Sequence, residues 1–220
     1  MNCPSTQFDK SLNAYSQLAL SAAESIGSDE FLQASRRVDW RFLLPNSALR
    51  HVAYFGPQCG SLHDSLRLFS ESLSVITGGR DDIVHGPDVV VLCNPTWNVL
   101  QLSVTFMNPG GVIYVETTNR QHVSLPRVTR HPGPRGFAEY VDCMEQLGLT
   151  AIQAFWNWPD FESCLEIVPL CDHKAINYAL SRRGRGVGAT LKTAAVRCLL
   201  GFGVLPHFVP CLSFVAAKNW

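Results

Sequence analysis

HVAYFGPQCG at residues 51–60 and PDVVVLCNP at residues 87–95 decide the fold of this chain. Each stretch is an apolar run that stops at turn residues, which is typical of a buried strand ending in a tight turn. The run at residues 89–92 is continuous rather than alternating, so both faces of that strand are predicted to be covered. In an open parallel sheet, ligands bind beyond the carboxyl ends of such strands. These two turns are therefore the predicted location of any small-molecule site.

Strands and helices alternate around these two stretches. Helical spacing follows the first strand at residues 61–72, and a second strand is predicted at residues 73–76. A helix is predicted at residues 97–106, and NPGG then leads into the strand VIYVET at residues 112–117. Such a succession predicts an α/β fold, with a mostly parallel sheet and helices on both of its faces.

The composition limits which binding partners are expected. The 220 residues include 18 Lys and Arg against 18 Asp and Glu, so the formal net charge is zero and a nucleic-acid partner is not indicated. Eight cysteines occur without a C-x-x-C pair, and they are interpreted as reduced, mostly buried thiols of a cytoplasmic protein. Their spacing also lacks the short chelating pairs of a zinc site, so no metal is predicted.

The two ends of the chain differ in character. Residues 1–38 show helical spacing and are predicted to form a helical extension before one α/β domain at residues 39–220. Residues 198–217 are apolar and about as long as a membrane span. Two prolines, two glycines and the central His207 disfavour a spanning helix. A pair of buried strands joined by a Pro-bounded turn is predicted there, and membrane association is not expected.

Several motifs, in their order along the chain, resemble class I S-adenosylmethionine-dependent methyltransferases, in particular the branch often encoded beside cell-surface glycan genes. The motifs are DWRFLLP at 39–45, PDVVVL at 87–92, NPGGVIYVETTNR at 108–120, GPRGFAEYVDCMEQLGL at 133–149, WNWPDFESCLEIVPL at 156–170 and VPCLSFVAAK at 209–218. The resemblance implies a Rossmann-like methyltransferase fold with S-adenosylmethionine as its cofactor. It also implies methyl transfer to an oxygen or nitrogen of a small molecule or saccharide.

The chain departs from the family pattern at the implied cofactor site. The family's first motif reads like V-L-D-L-G-C-G-x-G, and here Tyr54 replaces the acid and Gln58 the middle glycine. The acid that ends the family's second strand is replaced by a turn, TGGR at residues 77–80. The ten residues TGGRDDIVHG then separate the second strand from PDVVVL. A helix and another strand do not fit into that length, so the sheet is predicted to be shortened between the family's second and fourth strands.

The resemblance implies a cofactor site lined by Gly56, Gln58, Gly60, Gly78 and Asn94. Asn94 opens N-P-T-W, which is similar to the N-P-P-aromatic signature of amino-group methyltransferases. We favour the simpler interpretation that Asn94 caps the helix that follows.

No catalytic residue is identified from the sequence. Glu116 lies where a substrate base would sit in the family, but it is interpreted as a surface residue at the end of a strand. His122 and His131 lie with four arginines in a long loop at residues 119–136. This loop is interpreted as a solvated basic loop rather than as an anion site or the source of a general base.

Two functions from different classes follow from these observations. The first is S-adenosylmethionine-dependent methyl transfer by in-line displacement, in which the protein mainly supplies proximity and orientation. The second is a degenerate, non-catalytic homologue that acts as a binding module or partner subunit, which the altered motif and short crossover favour. The side chains of Tyr54 and Gln58 discriminate between them, because a pocket filled by both would exclude the enzyme. The neutral, apolar composition also favours a homo-oligomer or another protein partner.

Overall fold

The computed structural model describes residues 27–76, 86–118, 133–134, 136–182, 194 and 196–219. The helices are α1 (Ser28–Arg37), α2 (Ser61–Phe69), α3 (Trp97–Phe106), α4 (Phe137–Gln146) and α5 (His173–Arg182), with 3₁₀ turns at Asp39–Leu43 and Leu205–His207. The strands are β1 (Leu49–Phe55), β2 (Ser70–Val75), β3 (Val89–Cys93), β4 (Val112–Thr118), β5 (Leu149–Trp158), β6 (Glu166–Pro169) and β7 (Cys211–Lys218).

These strands form one sheet in the order β2-β1-β3-β4-β7-β5-β6. The half from β2 to β4 is parallel throughout. The last strand, β7, runs antiparallel to both β4 and β5, and β6 pairs with β5 as an antiparallel hairpin. The predicted α/β class with a mostly parallel central sheet is confirmed, and in the described part of the chain no strand lies beyond β2.

Apolar residues cover the sheet on both faces. On one face, α3, α4 and α5 pack through side chains such as Leu100, Met144 and Ile176. On the other face, α2 and the 3₁₀ turn before β1 pack through Leu66 and Trp40. Neighbouring residues of each strand join opposite clusters, as their alternating directions require. The predicted placement of helices on both faces is therefore confirmed.

The continuous apolar run of β3 has the environment that the sequence predicts. Val89, Val90, Val91 and Leu92 are all buried, with exposures of 5% or less. The strand pairs with β1 on one side and β4 on the other, so solvent reaches neither its edges nor its faces. This central strand therefore fixes the carboxyl edge of the sheet at Cys93.

Of the two strands predicted in residues 198–217, the closing strand is confirmed as β7 (Cys211–Lys218), whereas the first is wrong. The chain is helical at residues 196–201, turns at Gly203 with φ +71°, and forms the 3₁₀ turn Leu205–His207 before the single strand β7. Gly203 adopts the left-handed conformation that commonly ends a helix, and Pro206 is tolerated in the first turn of the next one. The glycines and prolines therefore divide a helix from a strand. None of the described helices is long and apolar enough to cross a bilayer.

Two elements, β6 and α5, were missed by the sequence analysis although α5 carries a clear signal. The Asp172 carboxylate accepts hydrogen bonds from the backbone N–H groups of Lys174 and Ala175, at 2.8 and 3.2 Å. This is the contact of an N-terminal helix cap. The strand β6 has only four residues and follows an aromatic loop, so its apolar pattern is too short to be decisive.

The predicted helical extension is described only in its last part, where residues 28–37 form α1. The first 26 residues lie outside the described chain, and the boundary at residue 38 stays a prediction. The seven cysteines in the described chain are free, but the prediction that most of them are buried is wrong. Of those described, Cys59, Cys171 and Cys198 are exposed, and only Cys211 is buried.

Candidate functional site

The candidate site lies where the order of the sheet reverses. After β1 the chain forms β2 on one side of β1, and it later forms β3 on the other side of β1. The neighbouring carboxyl ends of β1 and β3, at Phe55 and Cys93, therefore border a topological switch point, where ligands of open α/β sheets bind. We call the space beyond these ends, between Gly56–Gly60 and Asn94, the switch-point crevice. Sequence reasoning placed both of its turns correctly.

The first turn has one filled side and one open side. Tyr54 is 2% exposed, and a Cβ added to Gly56 would overlap its hydroxyl and lie 2.5 Å from its Cζ. Gly60 has φ +122°, which L-residues rarely adopt, and a Cβ added there would meet no atom within 4 Å. Gln58 is exposed. Tyr54 therefore fills the space beside Gly56, whereas Gln58 does not enter it.

Asn94 joins β3 to β4 and does not cap α3. Its backbone has φ 47°, and its Oδ1 accepts hydrogen bonds from the Thr118 backbone N–H at 3.0 Å and from the Thr118 hydroxyl at 3.2 Å. The cap of α3 is Thr96, whose hydroxyl accepts from the Val99 backbone N–H. The predicted capping role of Asn94 is wrong, because Thr96 lies one residue before the helix. Asn94 instead fixes the ends of two strands beside the crevice.

Glu116 is a buried member of an ion pair, so its interpretation as a surface residue is wrong. Its exposure is 1%, and its two carboxylate oxygens accept hydrogen bonds from Nη1 and Nη2 of Arg37, each at 2.6 Å. The Tyr114 hydroxyl donates to the same carboxylate at 3.0 Å. Burial alone would lower the pKa of Arg37, but its hydrogen bonds and charge contact with Glu116 raise that pKa above the ordinary value. Arg37 therefore stays charged.

Two tyrosines border this ion pair. Burial, and then the nearby Glu116 carboxylate, raises the pKa of Tyr114 well above its ordinary value. Burial, followed by Cys93 and Glu116, also raises the pKa of Tyr54. Trp40 stacks on the Tyr114 ring with centroids 3.9 Å apart. The floor of the crevice is therefore a buried network of aromatic rings around one compensated charge pair.

The network extends to Ser61, the first residue of α2. The Nε atom of Arg37 donates a hydrogen bond to the Ser61 hydroxyl at 3.1 Å. Sequence reasoning missed Arg37, Tyr114 and Ser61. The only local signal was the position of Arg37 in the last turn of α1, where a cation is favourable for the helix dipole alone. Nothing in the sequence connects it with Glu116.

Several predicted residues lie outside the described chain. These are Gly78 of the predicted cofactor site, and His122 and His131 with the basic loop that holds them. Among the described residues, no group of three or more His, Cys, Asp or Glu side chains comes together as a metal site.

No family model matches the sequence, and no curated protein matches it. A SAM-dependent methyltransferase from Thermotoga maritima aligns over 91% of this chain and 99% of its own, with 11% identity and a TM-score of 0.48. Phosphoethanolamine N-methyltransferase 2 of Haemonchus contortus, in complex with S-adenosyl-L-methionine, aligns over 83% of this chain and 51% of its own, with 9% identity and a TM-score of 0.42. The plantazolicin methyltransferase BamL, in complex with a desmethylPZN analog and SAH, aligns over 93% and 91%, with 11% identity and a TM-score of 0.41. Nothing about the activity of this chain follows from these scores.

The described residues fit a ligand on the outer side of the crevice. Beside Gly56, the Tyr54 ring takes the space that a glycine in this position would otherwise leave for a cofactor. Beside Gly60 the space is open, and Gln58 and Asn94 present polar side chains that are not fully buried. A ligand in the crevice would therefore lie against Gly60 rather than against Gly56.

Proposed function

We propose that this chain is a methyltransferase-like protein that binds S-adenosylmethionine in the switch-point crevice and transfers a methyl group to an oxygen or nitrogen of a small molecule or saccharide. The observation that carries this proposal is the meeting of two turns, Gly56–Gly60 and the turn at Asn94, at neighbouring carboxyl ends of β1 and β3. Open α/β sheets place their ligands at such a point. The motifs that resemble methyltransferases supply the identity of the ligand.

In this proposal Gly60, Gln58 and Asn94 hold the cofactor, whereas Gly56 faces the Tyr54 ring and Gly78 lies outside the described residues. S-adenosylmethionine, when bound, supplies an electrophilic methyl group. The chain contributes a rigid frame, because Asn94 is fixed by two hydrogen bonds to Thr118. Proximity and orientation are then the main source of rate enhancement.

The two ionisable groups at the ends of β4 and β3 beside the crevice, Glu116 and Cys93, are not free general bases. Both oxygens of Glu116 accept hydrogen bonds from Arg37, so that carboxylate is already occupied by the ion pair. Burial raises the pKa of the Cys93 thiol, which keeps it protonated at neutral pH. An acceptor that is already a nucleophile, such as a neutral amine, would need no base from these two groups.

The buried network favours a second candidate function, a non-catalytic homologue that acts as a binding module or partner subunit. Tyr54 fills one side of the crevice, and Glu116 is neutralised by Arg37. Both features stabilise the frame at the position where chemistry would take place. The exposed position of Gln58 leaves room for a ligand in either case.

Calorimetric titration with S-adenosylmethionine and S-adenosylhomocysteine tests the proposal. We expect binding of both, and loss of binding in Gln58→Trp, where an exposed bulky ring would stand over the open side of the turn. Gln101→Trp, on the exposed surface of α3, is the matched control and should bind as the unmodified protein does. Absence of heat with either compound, from protein that unfolds cooperatively, rejects cofactor binding and leaves the non-catalytic function. Binding without methyl transfer to any amine, hydroxyl or saccharide acceptor also selects the second candidate.

We also propose that the protein acts in the cytoplasm and associates with itself or with a protein partner. Exposed apolar side chains, including Phe42 at 65% and Phe202 at 82% exposure, are consistent with self-association. Light scattering of the purified protein tests this, and a monomeric mass over the accessible concentration range would reject the homo-oligomer.

A further inference from the structure

The segment between β5 and β6, residues 159–165, lies near the switch-point crevice, and we call it the strap. Its ends are held together by a hydrogen bond from the Leu165 backbone N–H to the Trp158 carbonyl at 2.8 Å. Within it, the Asp160 carboxylate accepts from the backbone N–H and the hydroxyl of Ser163, at 2.7 and 2.9 Å. These hydrogen bonds lower the pKa of Asp160. The strap therefore has its own internal turn.

One carboxylate ties the strap to the crevice. The Ser61 hydroxyl donates a hydrogen bond to Glu162, and a Glu162 oxygen lies 3.8 Å from the Arg37 Nε. The Phe161 ring also lies beside Arg37, with the guanidinium carbon 5.9 Å from the ring centroid. Ser61 directly follows Gly60, the open end of the first crevice turn. Glu162 therefore brings a negative charge from the strap to the border of the crevice.

The two carboxylates around Arg37 differ in how firmly they are held. Glu116 is buried and bound through two short hydrogen bonds, whereas the Glu162 side chain is 69% exposed and lies at the limit of ion-pair distance. Solvent and salt screen the charge of an exposed carboxylate, which weakens its attraction to Arg37. Glu116 is thus part of the frame, and Glu162 is a contact that another carboxylate can replace.

We propose that Glu162 is a built-in competitor for a ligand carboxylate, and that the strap is released from the crevice when such a ligand binds at Ser61 and Arg37. The inference assigns a carboxylate site to the border of the crevice and an inhibitory role to the strap. It rests on the proposed function only for the choice of S-adenosylhomocysteine as one probe. A second probe, acetate, tests the carboxylate site without that assumption.

The first experiment compares ligands with and without a carboxylate. In Glu162→Gln the competing charge is gone, so S-adenosylhomocysteine should bind about 3–10-fold more tightly, which corresponds to a difference below about 1.4 kcal/mol. 5′-Methylthioadenosine lacks the amino-acid carboxylate, and its affinity should be unchanged. Glu145→Gln, an exposed position on α4, is the matched control and should change neither affinity. An equal gain for both ligands, or no gain for S-adenosylhomocysteine, overturns the competition.

The second experiment uses hydrogen exchange and remains informative if no adenosyl ligand binds. The amides of the strap should exchange several-fold faster in Glu162→Gln and in Ser61→Ala than in the unmodified protein, and Glu145→Gln should not differ. Acetate, compared with chloride at equal ionic strength, should accelerate strap exchange in the unmodified protein and have no effect in Glu162→Gln. If no adenosyl ligand binds but these changes in exchange are observed, the proposed function is rejected and the proposal for the strap is retained. Unchanged exchange in Glu162→Gln, or equal effects of acetate and chloride, overturns the proposal that Glu162 holds the strap at the crevice.

Discussion

Arg37 and Glu116, 79 positions apart in the chain, meet through two hydrogen bonds of 2.6 Å in the interior of the protein. Removing one partner of a buried pair leaves an uncompensated charge, which costs about 3–5 kcal/mol, whereas replacing both by apolar residues is often nearly neutral. We therefore expect Arg37→Met and Glu116→Leu each to lower the free energy of unfolding by that amount. The double variant should recover most of the loss.

Urea denaturation at pH 7 measures this cycle. The pair of Arg182 and the partly buried Glu166, 3.7 Å apart, supplies the control, because Arg182 is exposed and Arg182→Met should cost no more than about 1 kcal/mol. Additive losses in the Arg37→Met, Glu116→Leu double variant would show that the pair does not act as a unit.

Gly56 and Tyr54 give a second prediction. An alanine at position 56 would overlap the Tyr54 ring, so Gly56→Ala should destabilise the protein by about 1–3 kcal/mol, as overpacking does. In a Tyr54→Ala background the added methyl group has room, and the same substitution should cost less. Gly201→Ala is the control: its site is helical and open, so it should be neutral or stabilising by up to about 1 kcal/mol. Equal losses from Gly56→Ala in the two backgrounds would contradict the overlap.

Asn94 gives a third prediction, through its left-handed backbone. Asn94→Gly loses the hydrogen bonds to Thr118 but keeps an easy left-handed conformation, whereas Asn94→Ala loses both. The alanine variant should therefore be less stable than the glycine variant by about 1–2 kcal/mol. At Asn98, which is exposed within α3, the order should reverse because glycine is the poorer helix former. Thermal unfolding of the four variants checks both orders, and the same order at both positions would be inconsistent with the backbone argument.

Tyr54 and Tyr114 predict a loss of stability at alkaline pH. Burial raises both pKa values, so the folded protein keeps two protons that the unfolded chain releases near pH 10. The contribution is fully present below about pH 10 and falls above it, by about 1.4 kcal/mol per pH unit for each group. Tyr54→Phe and Tyr114→Phe should each make the alkaline part of the stability curve shallower. Denaturant titrations between pH 8 and 11 measure this slope, and an unchanged slope in both variants would contradict the prediction.

Local pattern is sufficient to predict the centre of this fold. The uninterrupted apolar run of β3 requires cover on both faces, and the turn residues after β1 and β3 locate the carboxyl edge. The boundaries of α3 are also those of its apolar spacing, Trp97–Phe106. Elements whose length and period are distinctive can therefore be predicted without tertiary contacts.

Long-range pairing limits what could be predicted of the site. Glu116 has the sequence context of an ordinary strand end. Its partner, Arg37, comes from α1, and only the folded structure brings that helix beside the sheet. Asn94 is a good candidate for a cap, but Thr96 has the same chemistry and the correct distance from α3. Residues 198–217 misled in a different way, because helix and strand segments of similar apolarity follow one another without a charged boundary.

The position of β7 has a consequence for synthesis. Cys211–Lys218 follows the other described strands in the chain, yet it pairs with β4 on one side and β5 on the other. Until it has been synthesised and has docked, β4 and β5 each carry one strand edge whose backbone groups lack the partner that they have in the folded sheet. Open edges of this kind template association between chains. Production of this protein should thus depend on chaperones during translation more strongly than the completed sheet, in which β4 and β5 are paired on both sides, would suggest.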